Sequence, residues 1–209
     1  HEASMAEWGL DVVVTGSQKG LMLPPGLAMA SLSDDAWAAV DRSNVPNYYL
    51  SLAAARKAWG KGTTPYTPAI SLVVGLEVVL RQMRDEGLEA IWARHQRWGD
   101  AVRAGTKAIG LELLATQPSN VHTALMVPDG VDGSKLPKLL ESEFGVKVAG
   151  GQDDLKGKII RIAHVGDLDD IDVLGSVACL ERALAKLGWD FEFGAGVKAT
   201  HSELARTDI

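Results

Sequence analysis

The chain has 209 residues, 46% of them hydrophobic, enough to bury one large core or two small ones. Its 27 acidic and 21 basic side chains are interspersed and leave a net charge of -6, so the expectation is no nucleic-acid partner and no membrane-surface helix. One cysteine, Cys179, excludes an intramolecular disulfide framework; with no signal peptide and no apolar run of about 18 residues, the cytoplasm is the expected location.

The β-branched run Val12-Val13-Val14 reads as a buried strand over Val12–Gly16, followed by a polar turn at Thr15-Gly16-Ser17. A second strand is expected over residues 27–32. Ser33 reads as the N-cap of a short helix over residues 34–40. After an aromatic, irregular connection at 44–50, residues 50–59 are helical. A Gly-, Thr- and Pro-rich loop covers 61–68. Thr67 then reads as the cap of a long helix with Pro68 at its first position. That helix runs to about Glu86, is apolar nearly all round and should be largely buried against a sheet or a partner subunit, with Gly87 ending it.

A second long helix is expected over residues 88–109, with Leu88, Ile91, Trp92, His95, Trp98 and Val102 on one stripe. The pattern then changes to strands at 111–115 and 122–127, a helix at 133–144, strands at 146–149 and 158–163, and a helix over 168–187 with Asp167 as N-cap. Strand–strand–helix–strand–strand–helix describes a small α+β domain. The expected division is therefore 1–104, 105–190 and a loosely ordered tail at 191–209, which is Gly-rich and polar where it begins.

Lys19 lies just beyond the first strand, ahead of Leu21-Met22-Leu23 and the Pro24-Pro25-Gly26 turn. Side chains at the carboxyl end of such a strand point into the crevice where α/β proteins bind ligands. A lysine partly desolvated there becomes an amine nucleophile, the group needed for Schiff-base chemistry with an aldehyde cofactor. The bland alternative is a solvated surface charge. Gln18 could donate its amide to a phosphate oxygen or merely stabilise the turn. Ser17 and Thr15 are read as turn-stabilising residues. The hydroxyls of Thr64, Tyr66 and Thr67, next to a helix N-terminus, form a candidate anion site as a group, with Thr67 equally readable as a simple cap. Arg161, alone within the apolar run Ile159-Ile160-Arg161-Ile162, needs a partner: a substrate carboxylate gripped by its fork, or an internal acid. His164 reads as a packed histidine, and Gly150-Gly151 as a place where a loop approaches substrate closely. Cys179 reads as a small core residue, and neither Asp153-Asp154 nor Asp167, Asp169 and Asp170 has a metal-ligand pattern.

The stretch Asp11 to Gly26, with Ser17-Gln18-Lys19 followed by Pro24-Pro25-Gly26, resembles the cofactor-lysine segment of class V, fold-type I pyridoxal-phosphate aminotransferases, above all the alanine–glyoxylate and serine–glyoxylate group. The resemblance runs on to about Leu187. It implies an α/β fold: part of the large cofactor-binding domain, a mixed sheet with helices, followed by the small α+β domain. It implies pyridoxal 5'-phosphate as cofactor, Lys19 as the Schiff-base lysine, and Gln18 with Thr64, Tyr66 or Thr67 around the phosphate, the latter loop reaching across a homodimer. It implies Arg161 on the carboxylate of a small amino acid (alanine or serine) or 2-oxo acid (glyoxylate or pyruvate). Other class V subclasses, the phosphoserine and 2-aminoethylphosphonate transaminases among them, remain open. Relatives of that family are about twice this length, so the expectation is a C-terminal half with the N-terminal half supplied elsewhere or lost. A truncated chain acting only as a structural or dimerisation module is the alternative.

Overall fold

In the computed structural model, which describes residues 4–206, the chain divides into two units, one up to Glu86 and one from Gly87 onward. In the first, β1 (Val12–Gly16) pairs antiparallel with β2 (Ala28–Leu32), Val12 opposite Leu32 and Gly16 opposite Ala28. Ser33 caps α1 (Asp34–Arg42) by accepting the Ala36 N–H at 3.1 Å. Ser51 caps α2 (Leu52–Trp59) in the same way through Ala54. Arg56 ties the two helices together, pairing with Asp41 and lying 4.5 Å from the Trp37 ring centroid.

Two expectations fail in this unit. A ribbon of two strands has nothing to bury both faces against, and Val14 is 71% exposed instead of buried. The long helix α3 (Ile70–Glu86) begins two residues later than expected; Ala69, not Thr67, occupies the cap position, its carbonyl accepting the Val73 N–H at 3.1 Å. Of α3 only Val79 is buried, while Ile70 is 65% and Val74 56% exposed. Its all-round apolar sequence is correct, but nothing in this unit covers most of it.

The second unit holds α4 (Leu88–Ala108), β3 (His122–Met126), α5 (Leu136–Phe144), β4 (Ala149–Gly150), β5 (Ile159–Ala163), α6 (Asp170–Lys186) and α7 (Ala195–Ala205). The three strands form an antiparallel sheet in the order β3-β5-β4, with Arg161 opposite both Ala124 and Ala149. Trp98, Val102, Ile109, Leu125, Leu140, Ile160 and Leu184 fill its core. The division after Glu86 differs from the one expected near residue 105, because the α4 stripe of Trp98, Ala101 and Val102 belongs to this core. The strand expected at 111–115 shrinks to one bridge, Leu113 opposite Leu125.

The α6 cap is Asp169 and not Asp167: Asp169 accepts the Asp172 N–H at 2.9 Å and Asp172 accepts the Asp169 N–H at 3.1 Å, a reciprocal box. The expected loose tail is also overturned, since residues 195–205 are helical. The carboxylate of Glu181, 1% exposed on α6, accepts the N–H groups of Gly194 (2.8 Å), Gly196 (2.7 Å) and Val197 (3.2 Å), satisfying the orphan donors at the start of α7. Gly105 lets α7 approach α4: a Cβ there would lie 2.0 Å from Thr200 Oγ1. Among the described residues no helix is long and apolar enough to cross a membrane.

Candidate active site

Lys19 sits where β1 releases the chain. β1 ends at Gly16, and the loop that follows returns to β2 at Ala28. Ser17 is fully buried and all its polar groups are bonded. Its N–H donates to the Leu27 carbonyl (3.1 Å), its carbonyl accepts the Leu23 N–H (3.1 Å), its hydroxyl donates to the Pro24 carbonyl (2.8 Å), and its Oγ accepts the Leu27 N–H (3.2 Å). The Met22 N–H donates to the Lys19 carbonyl at 2.9 Å, and Met22 takes a left-handed φ of 57° that a side-chain-bearing residue adopts only under such constraint. Leu23 seats the loop on α3, so close that a Cβ on Gly75 would stand 2.9 Å from it.

Gln18 and Lys19 are both exposed on this frame. The partial desolvation expected of Lys19 is therefore not provided by the described residues, and no acid among them pairs with it. The Gln18 amide folds back over Gly16, where a Cβ would come within 2.6 Å of its Oε1. Thr15, Gly16, Gln18, Pro25, Gly26 and Leu27 line an open groove there.

The second group of expected residues lies in the loop before α3. The Thr64 hydroxyl donates to the Tyr66 carbonyl at 2.7 Å. Tyr66 packs its ring against Tyr49 (centroids 4.6 Å apart) and Tyr48 (5.9 Å), with its hydroxyl 3.5 Å from the Tyr48 carbonyl. Partial burial, then the Tyr48 side chain and the neighbouring Tyr49, raise its pKa, so the phenol keeps its proton. Thr67 is exposed and caps nothing. Among the described residues, no hydrogen bond joins this loop to Gln18 or Lys19.

Arg161, in the second unit, projects from β5 and is half-buried. Neither an internal acid nor any other carboxylate among the described residues pairs with it. Its Nε and Nη2 donate to the Gly150 carbonyl at 3.2 and 3.0 Å, which fixes the guanidinium and leaves Nη1 without a partner among the described residues. The neighbouring Gly151 answers a structural need: a Cβ there would lie 1.9 Å from the Leu155 carbonyl.

Just beyond Arg161 lies a buried polar cluster that sequence reasoning did not assemble. His164 donates from Nδ1 to the Asn120 carbonyl (3.0 Å), and its Nε2 lies 2.9 Å from the Thr123 hydroxyl, which donates to it when the imidazole is neutral. Burial, then the positive charge of Arg103, push its pKa down to about 4, with His122 adding to the effect. Arg103 is held by Asp100 (2.8 Å) and the Ser119 carbonyl (3.0 Å). An arginine on the apolar stripe of α4, between Val102 and Thr106, was the available signal. On the same helix, Arg97 and Trp98 grip Asp170 at 2.8 and 2.9 Å. Burial pushes that carboxyl up, but these bonds and the Arg97 charge outweigh it and lower its pKa.

Comparison with known proteins places this geometry in context. The family model described as "Aminotransferase class-V" matches residues 1–159. The "Soluble hydrogenase, small subunit" of Synechococcus sp. (strain PCC 6716) is 46% identical over 201 residues, covering 95% of this chain and 52% of that protein. The serine–glyoxylate aminotransferase of Arabidopsis thaliana is 37% identical over 204 residues, covering 96% of this chain and 51% of that protein. Among solved structures, the pyridoxamine–pyruvate aminotransferase of Mesorhizobium loti superposes on 100% of this chain and 55% of its own, with a TM-score of 0.92 at 32% identity. The chain spans about half the length of the curated relatives it matches.

Proposed function

Because this chain belongs to the class V aminotransferase family, whose cofactor is pyridoxal phosphate, we propose that it carries the reactive lysine of a transaminase. The transaminase moves an amino group between a small amino acid (alanine or serine) and a 2-oxo acid (glyoxylate or pyruvate). The observation that carries this reading is Lys19: an exposed amine without an acidic partner among the described residues, on a loop whose backbone is pinned at the carboxyl end of β1. The names of relatives support the substrate class, since one acts on serine and glyoxylate and another on pyruvate. The hydrogenase name of the Synechococcus relative describes that protein; the family match of this chain is to aminotransferases.

The residues present fit the cofactor chemically. An aldehyde needs a primary amine not tied up in an ion pair, which Lys19 offers among the described residues, and a phosphate needs donors, which the Gln18 amide and the hydroxyls of Thr64, Tyr66 and Thr67 offer. Gly16 leaves the Gln18 amide room to fold back over the strand end. When bound, the cofactor's pyridine ring supplies an electron sink. Lys19 would be the group that carries the proton to and from the substrate α-carbon. Arg161, pre-set on Gly150, offers Nη1 to the substrate carboxylate. The exposed apolar face of α3 and the Tyr48–Tyr49–Tyr66 cluster support a homodimer. The same exposed face favours one second reading, a chain that serves as a dimerisation module without catalysis. A cytoplasmic location goes with either reading, on the lone cysteine.

The test is glycine formation from glyoxylate with alanine or serine as donor. Lys19→Ala is expected to abolish it, and Arg161→Lys to raise KM for the donor about tenfold or more. Turnover that persists in Lys19→Ala overturns the assignment of the lysine. Turnover in the wild-type chain overturns the module, whereas no turnover is expected equally of the module and of a half that needs its other half.

A further inference from the structure

We infer that Ser17 is a positioning residue for Lys19, a clasp that sets where the reactive amine's backbone stands; the inference rests on the proposed role of Lys19. Ser17 is two residues before the lysine and is one of few buried residues in the first unit. Its four hydrogen bonds close the chain between Ser17 and Leu27 into a ring. The backbone N–H and the Oγ both bind Leu27, the hydroxyl hydrogen reaches Pro24, and the carbonyl holds Leu23. Lys19 occupies the start of the turn inside that ring, through its carbonyl bond from Met22.

The strained φ of Met22 persists only because the surrounding bonds over-determine it. With the Lys19 backbone fixed in this way, its amine has only the freedom of its own four-carbon stem. A proton carrier that must serve two carbon atoms gains from this, because misplacement by about 1 Å is costly in such transfers. A serine is suited to the position: it accepts one bond and donates another with a single small group. Alanine would leave the Pro24 carbonyl and the Leu27 N–H without that partner.

The test compares the 209-residue chain with Ser17→Ala and Ser17→Thr by two readouts. In amide hydrogen exchange, the Leu23 and Leu27 amides of Ser17→Ala are expected to exchange about tenfold faster or more, with α4 and α6 unchanged. In the second readout, each protein is treated with pyridoxal phosphate, reduced with borohydride and peptide-mapped. The share of label on Lys19, against Lys57 and Lys198 as references, is expected to fall about threefold or more in Ser17→Ala and to return in Ser17→Thr. Should alanine unfold the first unit, Ser17→Cys keeps the volume, weakens both side-chain bonds and is expected to show the same two shifts in smaller degree. Unchanged Leu23 and Leu27 exchange overturns the clasp. Faster exchange with an unchanged Lys19 share reduces Ser17 to a structural role and leaves the reading of Lys19 standing. An absence of preferential Lys19 labelling in the wild-type chain overturns that reading and the positioning role with it.

Discussion

Up to Glu86 the buried residues among those described are Ser17, Ala58 and Val79; from Gly87 onward they include Trp98, Leu125, Leu140, Ile160, His164, Leu180, Glu181 and Leu184. The second unit closes its own core and satisfies even its buried charges. The first has comparable apolar content but leaves α3 and both faces of the β1–β2 ribbon largely open. The difference is one of stability source. The second unit's structure rests on contacts within it, whereas the first carries apolar surface that only further protein can bury.

The largest expected effect sharpens that contrast. Trp98→Ala removes a side chain that is 1% exposed and its bond to Asp170, and should cost about 3–5 kcal/mol in chemical denaturation. Glu181→Ala strips three backbone donors of α7 of their acceptor and should cost about 2–3 kcal/mol, with faster exchange at Gly196 and Val197.

The next prediction concerns pH. His164 titrates near 4 when folded and near 6.5 when unfolded, so between those values the unfolded chain binds more protons. Its contribution is fully present above about pH 6.5 and is lost as pH falls toward 4, by up to about 3 kcal/mol. His164→Gln should flatten that limb of the stability–pH curve, and an unchanged slope would break the account of the buried cluster. The smallest effect belongs to the open unit. Val74→Thr should change stability of the isolated chain by less than about 0.5 kcal/mol while lowering its mass in sedimentation at high concentration. A loss as large as that of Trp98→Ala would erase the contrast between the units.

Local signals were legible wherever one residue type governs the outcome. β-branched Val12–Val14 forms its strand, Ser33 caps α1, and Lys19 emerges at the strand end as expected. The helix α7 was not legible, because its start is organised by Glu181, a carboxylate thirteen residues upstream of Gly194, and not by any cap of its own. Asp169 and Asp167 each have an acid three residues on, but Asp172 closes the box with Asp169 whereas Asp170 is held by Arg97 and Trp98. The apolar pattern of α3 points to a cover by a sheet or a partner subunit, and the described residues of this unit do not supply it. The candidates Gln18, Lys19, Thr64, Tyr66, Thr67 and Arg161 rest on side-chain chemistry and family resemblance. The fork of Arg161 on a carbonyl, the Ser17 clasp and the His164–Thr123 pair depend on contacts distant in sequence.

The central claim is that Lys19 is the amine that takes the cofactor. The most direct measurement is a peptide map of the chain after pyridoxal phosphate and borohydride at limiting cofactor. The account predicts that one pyridoxyl label per chain falls on Lys19 and disappears in Lys19→Ala, leaving the other lysines at background. Label spread evenly over the surface lysines, unchanged by Lys19→Ala, would contradict it.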